Sequence, residues 1–328
     1  MMKNRRAILA KGVTGVTLMM TLNSLAQAVP PRTDWSGKGR DGGKMNNAAN
    51  WSAGLPDGST VCVVKNGSLK LAGDDQGAEP EVTGLSLTFD QVNNPATMDI
   101  CAGKLTMMGT SGASSRWPNT GELKITQTGG EIKASDLGMC VKEGSKLSYV
   151  MSGGSLTVTS DLRMSGEGIA HFEQSGGTVD LPRVGWMGWN KTGFADYSLS
   201  GGTLKFEKLI IGNREGKGCM TVSGTKPLIC GTRLELTADL GTLVFQLEKD
   251  GVATFGTAQE PLKQAILKGT LSLKLPVGQA PKSGETIKLV YARSLDSRAV
   301  VLDQKTAESW DAVEDSEDGT SVLCLKAK

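Results

Sequence analysis

The sequence predicts an all-β protein, a parallel β-solenoid with three short strands in each coil of 23–25 residues and a cap at either end. Three observations support this prediction: a glycine-pair motif with a fixed period, alternating apolar residues between the pairs, and a high glycine content. Glycine makes up 43 of the 328 residues, nearly twice its usual share of about 7%. Turns with a positive φ account for such an excess, because glycine adopts that conformation without steric cost.

The recurring motif is Ser/Thr-Gly-Gly followed by a polar and then an apolar residue. Its four copies begin at Thr128, Ser152, Ser175 and Ser200, so their first glycines are 24, 23 and 25 residues apart. A fixed period in this range is typical of stacked repeats. Leucine-rich repeats share the period but need a leucine spacing that is absent here, and TPR or ankyrin repeats need a helical periodicity that is also absent.

Alternating apolar residues between the glycine pairs predict strands with one inward face. In one coil such runs lie at residues 147–151, just before a pair, at 156–158, just after it, and at 162–164. Three short strands and three turns fill about two dozen residues, which is one coil of a parallel β-solenoid.

The first 28 residues have the features of a secretory signal peptide. Basic residues precede an apolar stretch at 7–25, and Ala26-Gln27-Ala28 fits the small-x-small cleavage pattern. Lys11 interrupts the stretch, which disfavours a retained membrane helix. Arg5-Arg6 also fits a twin-arginine signal, so the general secretory and twin-arginine routes both stay open. We expect an exported protein of the periplasm, cell surface or exterior, with no transmembrane segment in the mature chain.

The charge balance of the mature chain argues against nucleic acid as a partner. Residues 1–28 contain four of the 36 basic residues and none of the 34 acidic ones, so their removal leaves a formal charge of −2. No cationic face of the kind that binds nucleic acid is evident in the sequence.

The mature chain divides into an N-terminal cap at 29–60, the β-solenoid at 61–260 and a C-terminal β-rich cap at 261–328, because the repeat fades from about Pro261. Caps are expected, since the open strand edges of terminal coils would template aggregation. Further strands are predicted at 60–64, 68–71, 85–89, 104–107, 286–291 and 321–326. Residues 308–317 are acidic and predicted to form a turn region.

The six cysteines allow two interpretations. An even number in an exported chain permits three disulfides with fifteen possible connectivities, and Cys219 with Cys230 is the first pair to test. Alternatively, several cysteines fill coil interiors as small apolar residues, which the repeat register favours for Cys101. No Cys-x-x-Cys spacing supports a zinc or redox site.

Several segments resemble bacterial autotransporter-associated β-strand repeat proteins. They are the Asn-Trp-Ser-x-Gly-Leu-Pro opening at 50–56, Gly-Leu-Ser-Leu-Thr-Phe at 84–89, the Ser-Gly-Gly-Thr-Leu repeats, and the closing segments at 269–273 and 283–290. The resemblance spans nearly all of the mature chain. It implies a passenger-like solenoid whose opening precedes the coils, and it brings no catalytic residues with it.

Two tryptophans and an asparagine form a candidate ligand site. The repeat register places Trp186 outward, in the position of Ile210, and Trp189 in the following turn beside Asn190. Two exposed indole rings and an amide are able to stack on and hydrogen-bond a sugar ring. The alternative is that the turn folds over and buries both rings against the coil.

Two further features have weaker chemical interpretations. Asp136 and Asp161 each precede the third strand of successive coils, so stacking brings them together as a candidate calcium site; otherwise they are solvated turn residues. The single histidine, His171, lies beside Phe172 and is expected to point outward, at the surface. No nucleophile motif, metal-spaced cluster or phosphate loop accompanies it.

The sequence therefore predicts an exported, non-catalytic structural or adhesive β-solenoid of the cell envelope or exterior. Its expected partner is a cell-surface or extracellular glycan or protein, and calcium is the only candidate cofactor. The first alternative is a carbohydrate-binding module, and the second is a polysaccharide lyase or hydrolase built on the same fold.

Overall fold

A computed structural model of the protein describes residues 29–73, 79–90, 95–109 and 114–328. Within these ranges the chain is all-β, and parallel strands stack into a β-solenoid of about nine turns, as the sequence predicts. The predicted signal peptide at 1–28 lies outside the described residues.

Three ladders of parallel strands build the coils. The first ladder has one strand per coil, the one that precedes the glycine pair: β3 Gly67–Leu71, β6 Ala96–Ile100, β9 Glu122–Gln127, β12 Lys146–Met151, β15 Ile169–Gln174, β17 Phe194–Leu199, β19 Lys217–Ser223, β21 Gly241–Gln246, β23 Thr270–Lys274 and β25 Val301–Leu302.

The second ladder follows the glycine pairs, and the third completes each coil. Strands of the second ladder alone are β4 Glu81–Gly84, β7 Lys104–Met107, β10 Glu131–Ala134 and β13 Ser155–Val158. Strands of the third ladder alone are β1 Arg32–Asp34, β2 Val61–Val64, β5 Ser86–Asp90, β8 Ser115–Thr120, β11 Leu137–Met139, β14 Asp161–Met164 and β22 Leu262–Leu267.

Three later strands span the second and third ladders together, where the sequence predicts two separate strands. They are β16 Thr178–Met187, β18 Thr203–Ile211 and β20 Leu228–Leu236. The pairing of β16 with β18 is irregular between Leu181 and Val184. Pro182 lies at this point, and its missing N–H suits a bulge. The chain therefore bends within one strand instead of leaving the sheet.

The glycine pairs are required by the stacking of the turns. A Cβ on Gly153 would clash with the carbonyl oxygen of Thr128 in the coil below. Gly154 has a φ of +74°, and a Cβ there would clash with the carbonyl oxygens of Gly129 and Gly130. The motif thus marks the place where backbones of neighbouring coils approach most closely.

One hydrophobic core extends through the coils, from Trp35 to Ala327. Aromatic side chains stack along the first ladder, with ring centroids 4.4 Å apart between Tyr149 and Phe172 and 4.9 Å apart between Phe172 and Tyr197. These residues share one register position, so the alternation seen in the sequence does mark the inward face.

The N-terminal end is closed by polar and aromatic packing around a 3-10 helix at Ala48–Asn50. Trp35 and Trp51 meet edge to face, with ring centroids 5.0 Å apart. Asn50 is fully buried, and its Nδ2 donates to Asp41 Oδ1 at 2.9 Å. Asn50 and Trp51, which begin the Asn-Trp-Ser-x-Gly-Leu-Pro segment, therefore have a structural role in this chain.

At the C-terminal end, parallel stacking continues past residue 260, because β22 pairs with β20 and β23 with β21. The last elements are β24 Thr286–Asp296, a helix α1 at Gln304–Ser309, β26 Trp310–Glu317 and β27 Thr320–Ala327. Strand β24 pairs in parallel with β22 and antiparallel with β27, which also pairs with β26.

The prediction of an acidic turn at 308–317 is wrong. Most of this segment is strand β26, whose Trp310 is buried while its acidic side chains are largely exposed. This segment forms a strand because its backbone pairs antiparallel with β27. Its acidic residues lie on the outermost strand of the hairpin, where charge discourages pairing with other chains.

The cysteines correct two further expectations. Cys101 is exposed, because Ile100 and not Cys101 shares the inward register position of Gln127 and Met151. All six cysteines are free, and Cys219 lies in the first ladder while Cys230 lies in the second. Cys62 and Cys140 are buried in the coils, and burial raises the pKa of each thiol to about 12.

Candidate functional site

The structure brings the predicted tryptophan pair together. Trp186 pairs with Ile210 in the third ladder, which is the predicted register. Its ring and that of Trp189 meet edge to face, with centroids 4.7 Å apart. Both side chains are half-buried, and Trp186 Nε1 is buried without a hydrogen-bond partner among the described residues. The pair is therefore neither an open platform nor part of the core.

Two arginines lie against the Trp189 ring. The guanidinium carbon of Arg214 is 4.5 Å from the ring centroid, and that of Arg163 is 5.8 Å from it. Cations at these distances are attracted by the quadrupole of the indole ring. Arg214 has a φ of +54° in a tight loop that the Asn213–Gly216 bridge closes. Trp189 thus holds arginines in place and is not free to stack on a sugar over its whole surface.

A cavity of about 240 Å³ opens beside this cluster on the outer face of the third ladder. Arg116, Gly138 and Arg163 occupy the same register position in three successive coils. Because Gly138 has no side chain, a gap separates the two arginines. We call this gap the arginine cavity; it is lined by Ser114, Arg116, Gly138, Met139, Val141, Arg163, Gly166, Trp189 and Asn190.

The charges around the arginine cavity are unevenly paired. Arg163 forms an ion pair with Asp136, which directly precedes β11 in the neighbouring coil. Arg116 is exposed and forms no salt bridge with a carboxylate of the described residues. Asn190 is close to Glu167, with its Nδ2 3.5 Å from Glu167 Oε1. The cavity therefore presents two guanidinium groups on either side of a glycine, one in an ion pair with Asp136 and one without a direct ion pair among the described residues.

The predicted calcium residues have other partners. Asp136 pairs with Arg163, and Asp161 Oδ1 lies 3.6 Å from Arg183 Nε. A cation is the natural partner of each carboxylate, and here arginine supplies it. In the ranges that the structure describes, no group of three or more His, Cys, Asp or Glu side chains is placed to hold a metal ion.

His171 points outward, as predicted, while Phe172 is buried. Its Nδ1 lies 3.4 Å from Asp196 Oδ2, and Ser148 occupies the neighbouring rung on the other side. No hydrogen bond joins Ser148 to His171 in the described coils. Ser148, His171 and Asp196 therefore lie in one outward row of the first ladder, with the imidazole next to the Asp196 carboxylate.

Sequence reasoning missed the arginines of the cavity. Arg116 and Arg163, which line the cavity, are two coils apart, and Arg214, which lies against Trp189 outside the lining, comes from a third coil. The signal that was available is the shared register of Arg116, Gly138 and Arg163. It could not be used because the glycine pairs that fix the register begin only at Thr128, after Arg116.

Comparison with known proteins adds no identification. A scan against models of protein families finds no match, and a search of curated proteins finds none. Among the described residues, no helix has the length and apolar character needed to cross a membrane. Conclusions about function therefore depend on the geometry of the fold and of the arginine cavity.

Proposed function

We propose that this protein is an exported structural or adhesive β-solenoid of the cell envelope or exterior, similar to autotransporter-associated β-strand repeat proteins. The single observation that supports this role is the continuity of the core from Trp35 to Ala327. A solenoid with one unbroken core is rigid along its axis and displays repeated outer rows of polar side chains. One such row in the first ladder reads Ser148, His171, Asp196, Cys219 and Thr242.

Export is tested on the native protein by cell fractionation and N-terminal sequencing. The expected result is a chain that begins at Val29 and is found outside the cytoplasm, because cleavage follows Ala28. A cytoplasmic chain that still begins at Met1 would refute the proposal. Replacing Arg5 and Arg6 with lysine blocks export only if the twin-arginine route is used.

A second role, carbohydrate binding, is favoured by a specific observation: the arginine cavity lies directly beside the predicted Trp189 and Asn190. Aromatic rings next to polar groups in a concave site are typical of ligand binding. Soluble glycans should then quench the fluorescence of the tryptophan pair. An array of glycans without any response would leave the structural role alone.

A further inference from the structure

We propose that the arginine cavity binds the carboxylate of a uronic acid unit, so that the ligand is an acidic oligosaccharide. This inference depends on the proposed carbohydrate binding and specifies its ligand class. Its basis is the placement of Arg116 and Arg163 on either side of Gly138. Guanidinium groups bind carboxylates through paired N–H donors, with more geometric specificity than a lysine provides.

The spacing of the two arginines suits a shared anion. They are two rungs apart in a parallel ladder, which separates their backbones by roughly 10 Å. Gly138 puts no side chain of its own on the rung between them, and Val141 covers part of that space, so the cavity that the two arginines line is a narrow one. A side chain at position 138 would close what remains of the gap, because its Cβ would lie only 3.1 Å from Val141 Cγ2.

The lining of the cavity has a net positive charge. Arg116 and Arg163 line it, and none of the described lining residues is acidic. The ion pair with Asp136 orients Arg163 and uses only part of its hydrogen-bonding capacity, because a guanidinium has five N–H donors. Arg116 forms no ion pair among the described residues, and its charge acts on a carboxylate only at longer range, where it helps the hydrogen bonds from Thr120 and Asn119 to lower the pKa of Asp90. An incoming anion therefore replaces solvent at Arg116 and does not need to break an existing ion pair.

The remaining lining residues favour a sugar over a free inorganic anion. Ser114 and Asn190 offer hydrogen bonds to hydroxyl groups, while the half-buried Val141 and Trp189 provide apolar surface for the ring. The volume of about 240 Å³ is below the range of about 300–1,000 Å³ for sites that enclose drug-sized ligands. One charged ring of a longer chain fits it better than a whole oligosaccharide.

The test is a titration of the full mature protein with trigalacturonate, in which tryptophan fluorescence and calorimetry measure binding. The fully methyl-esterified trisaccharide is the matched ligand, because it keeps the same rings and loses only the charge. We expect the acid to bind at least tenfold more tightly than the ester, and its binding to weaken as salt is added. Inorganic phosphate serves as the third ligand.

Two variants locate the site and one controls for charge. Arg116→Gln should weaken trigalacturonate binding at least tenfold without changing the unfolding midpoint, since Arg116 is exposed. Gly138→Asp places a carboxylate between the arginines and should abolish binding. Arg293→Gln removes an exposed charge from strand β24, near the other end of the solenoid, and should leave affinity unchanged.

The outcomes separate this inference from the proposed carbohydrate binding. Equal affinity for acid and ester would overturn the inference and leave glycan binding intact. Binding of phosphate as tight as that of trigalacturonate would overturn it by showing an anion site that ignores the sugar. No binding of any glycan would overturn both, and unchanged affinity in Arg116→Gln would place the acidic ligand elsewhere.

Discussion

At the scale of single residues, two buried glutamines connect the core to the glycine-pair turns. Gln174 accepts a hydrogen bond from the Tyr197 hydroxyl, and its Nε2 donates to the carbonyl oxygens of Gly177 and Thr203 at 3.2 and 3.1 Å. Gln127 and Tyr149 form the same arrangement two coils earlier, with a hydroxyl-to-amide distance of 2.5 Å. Burial raises the pKa of both tyrosines, so their hydroxyls stay protonated as donors.

The chain contains a natural apolar version of this pair, because the intervening coil has Met151 and Phe172 at the equivalent positions. Gln174→Met alone leaves a buried hydroxyl unsatisfied, so we expect a loss of about 1–3 kcal/mol in the free energy of unfolding. Tyr197→Phe alone should cost about 1 kcal/mol. The double variant recreates the natural Met–Phe pair and should regain most of the loss in a denaturant titration.

Additive losses in the double variant would contradict this account. They would mean that the glutamine acts through its bonds to the turn carbonyls and not through the tyrosine. The same cycle at Gln127 and Tyr149 is the internal control, because the two pairs have the same geometry.

At the scale of elements, the glycine-pair turn is a position where backbone conformation and close approach act together. Gly154 and Gly144 have nearly the same φ, +74° and +76°. A Cβ on Gly154 would meet carbonyl oxygens of the coil below, whereas a Cβ on Gly144 would meet nothing within 4 Å. The two glycines therefore separate the conformational cost of a side chain from the cost of the clash.

Gly144→Ala should destabilise the protein by about 1–2 kcal/mol, the cost of a left-handed conformation with a Cβ. Gly154→Ala has the same cost and also forces neighbouring coils apart, so we expect a distinctly larger loss. Denaturant midpoints of the two variants provide the measurement. Equal losses would show that the turns do not stack as closely as described.

The elements also show what the sequence could predict and what it could not. The period of the glycine pairs was sufficient to place the three ladders and the register of Trp186, because each pair anchors one coil. Before Thr128 the Ser/Thr-Gly-Gly motif does not occur, and there the predicted register of Cys101 is wrong by one residue. The arginine cavity could not be predicted from the sequence for a related reason. Its residues come from different coils and become neighbours only when the coils stack.

At the scale of the whole molecule, the solenoid is a stack in which each coil contacts mainly its neighbours. Strand β12 pairs with β9 on one side and β15 on the other, and β13 pairs with β10 and β16 in the same way. Stability in such a stack is close to a sum of coil and interface contributions. The protein should therefore tolerate removal of a whole coil, provided that the turns rejoin in register.

The most direct test of this architecture compares two deletions in the same region. Removing residues 153–175 joins Ser152 to Gly176, whose backbone already stacks on Ser152. This deletion removes β13, β14 and β15 as one coil. Removing residues 153–164 deletes only β13 and β14, so that β12 runs directly into β15 and the following strands face turns.

The measurement is the denaturant midpoint of each deletion variant, with circular dichroism to follow the β-structure and small-angle scattering to follow the length. The one-coil deletion should stay folded, lose the stability of about one coil, and shorten the rod by about 4.8 Å. The half-coil deletion should unfold the protein or lower the midpoint far more. Equal damage from both deletions, or a milder effect of the half-coil deletion, would contradict the β-solenoid.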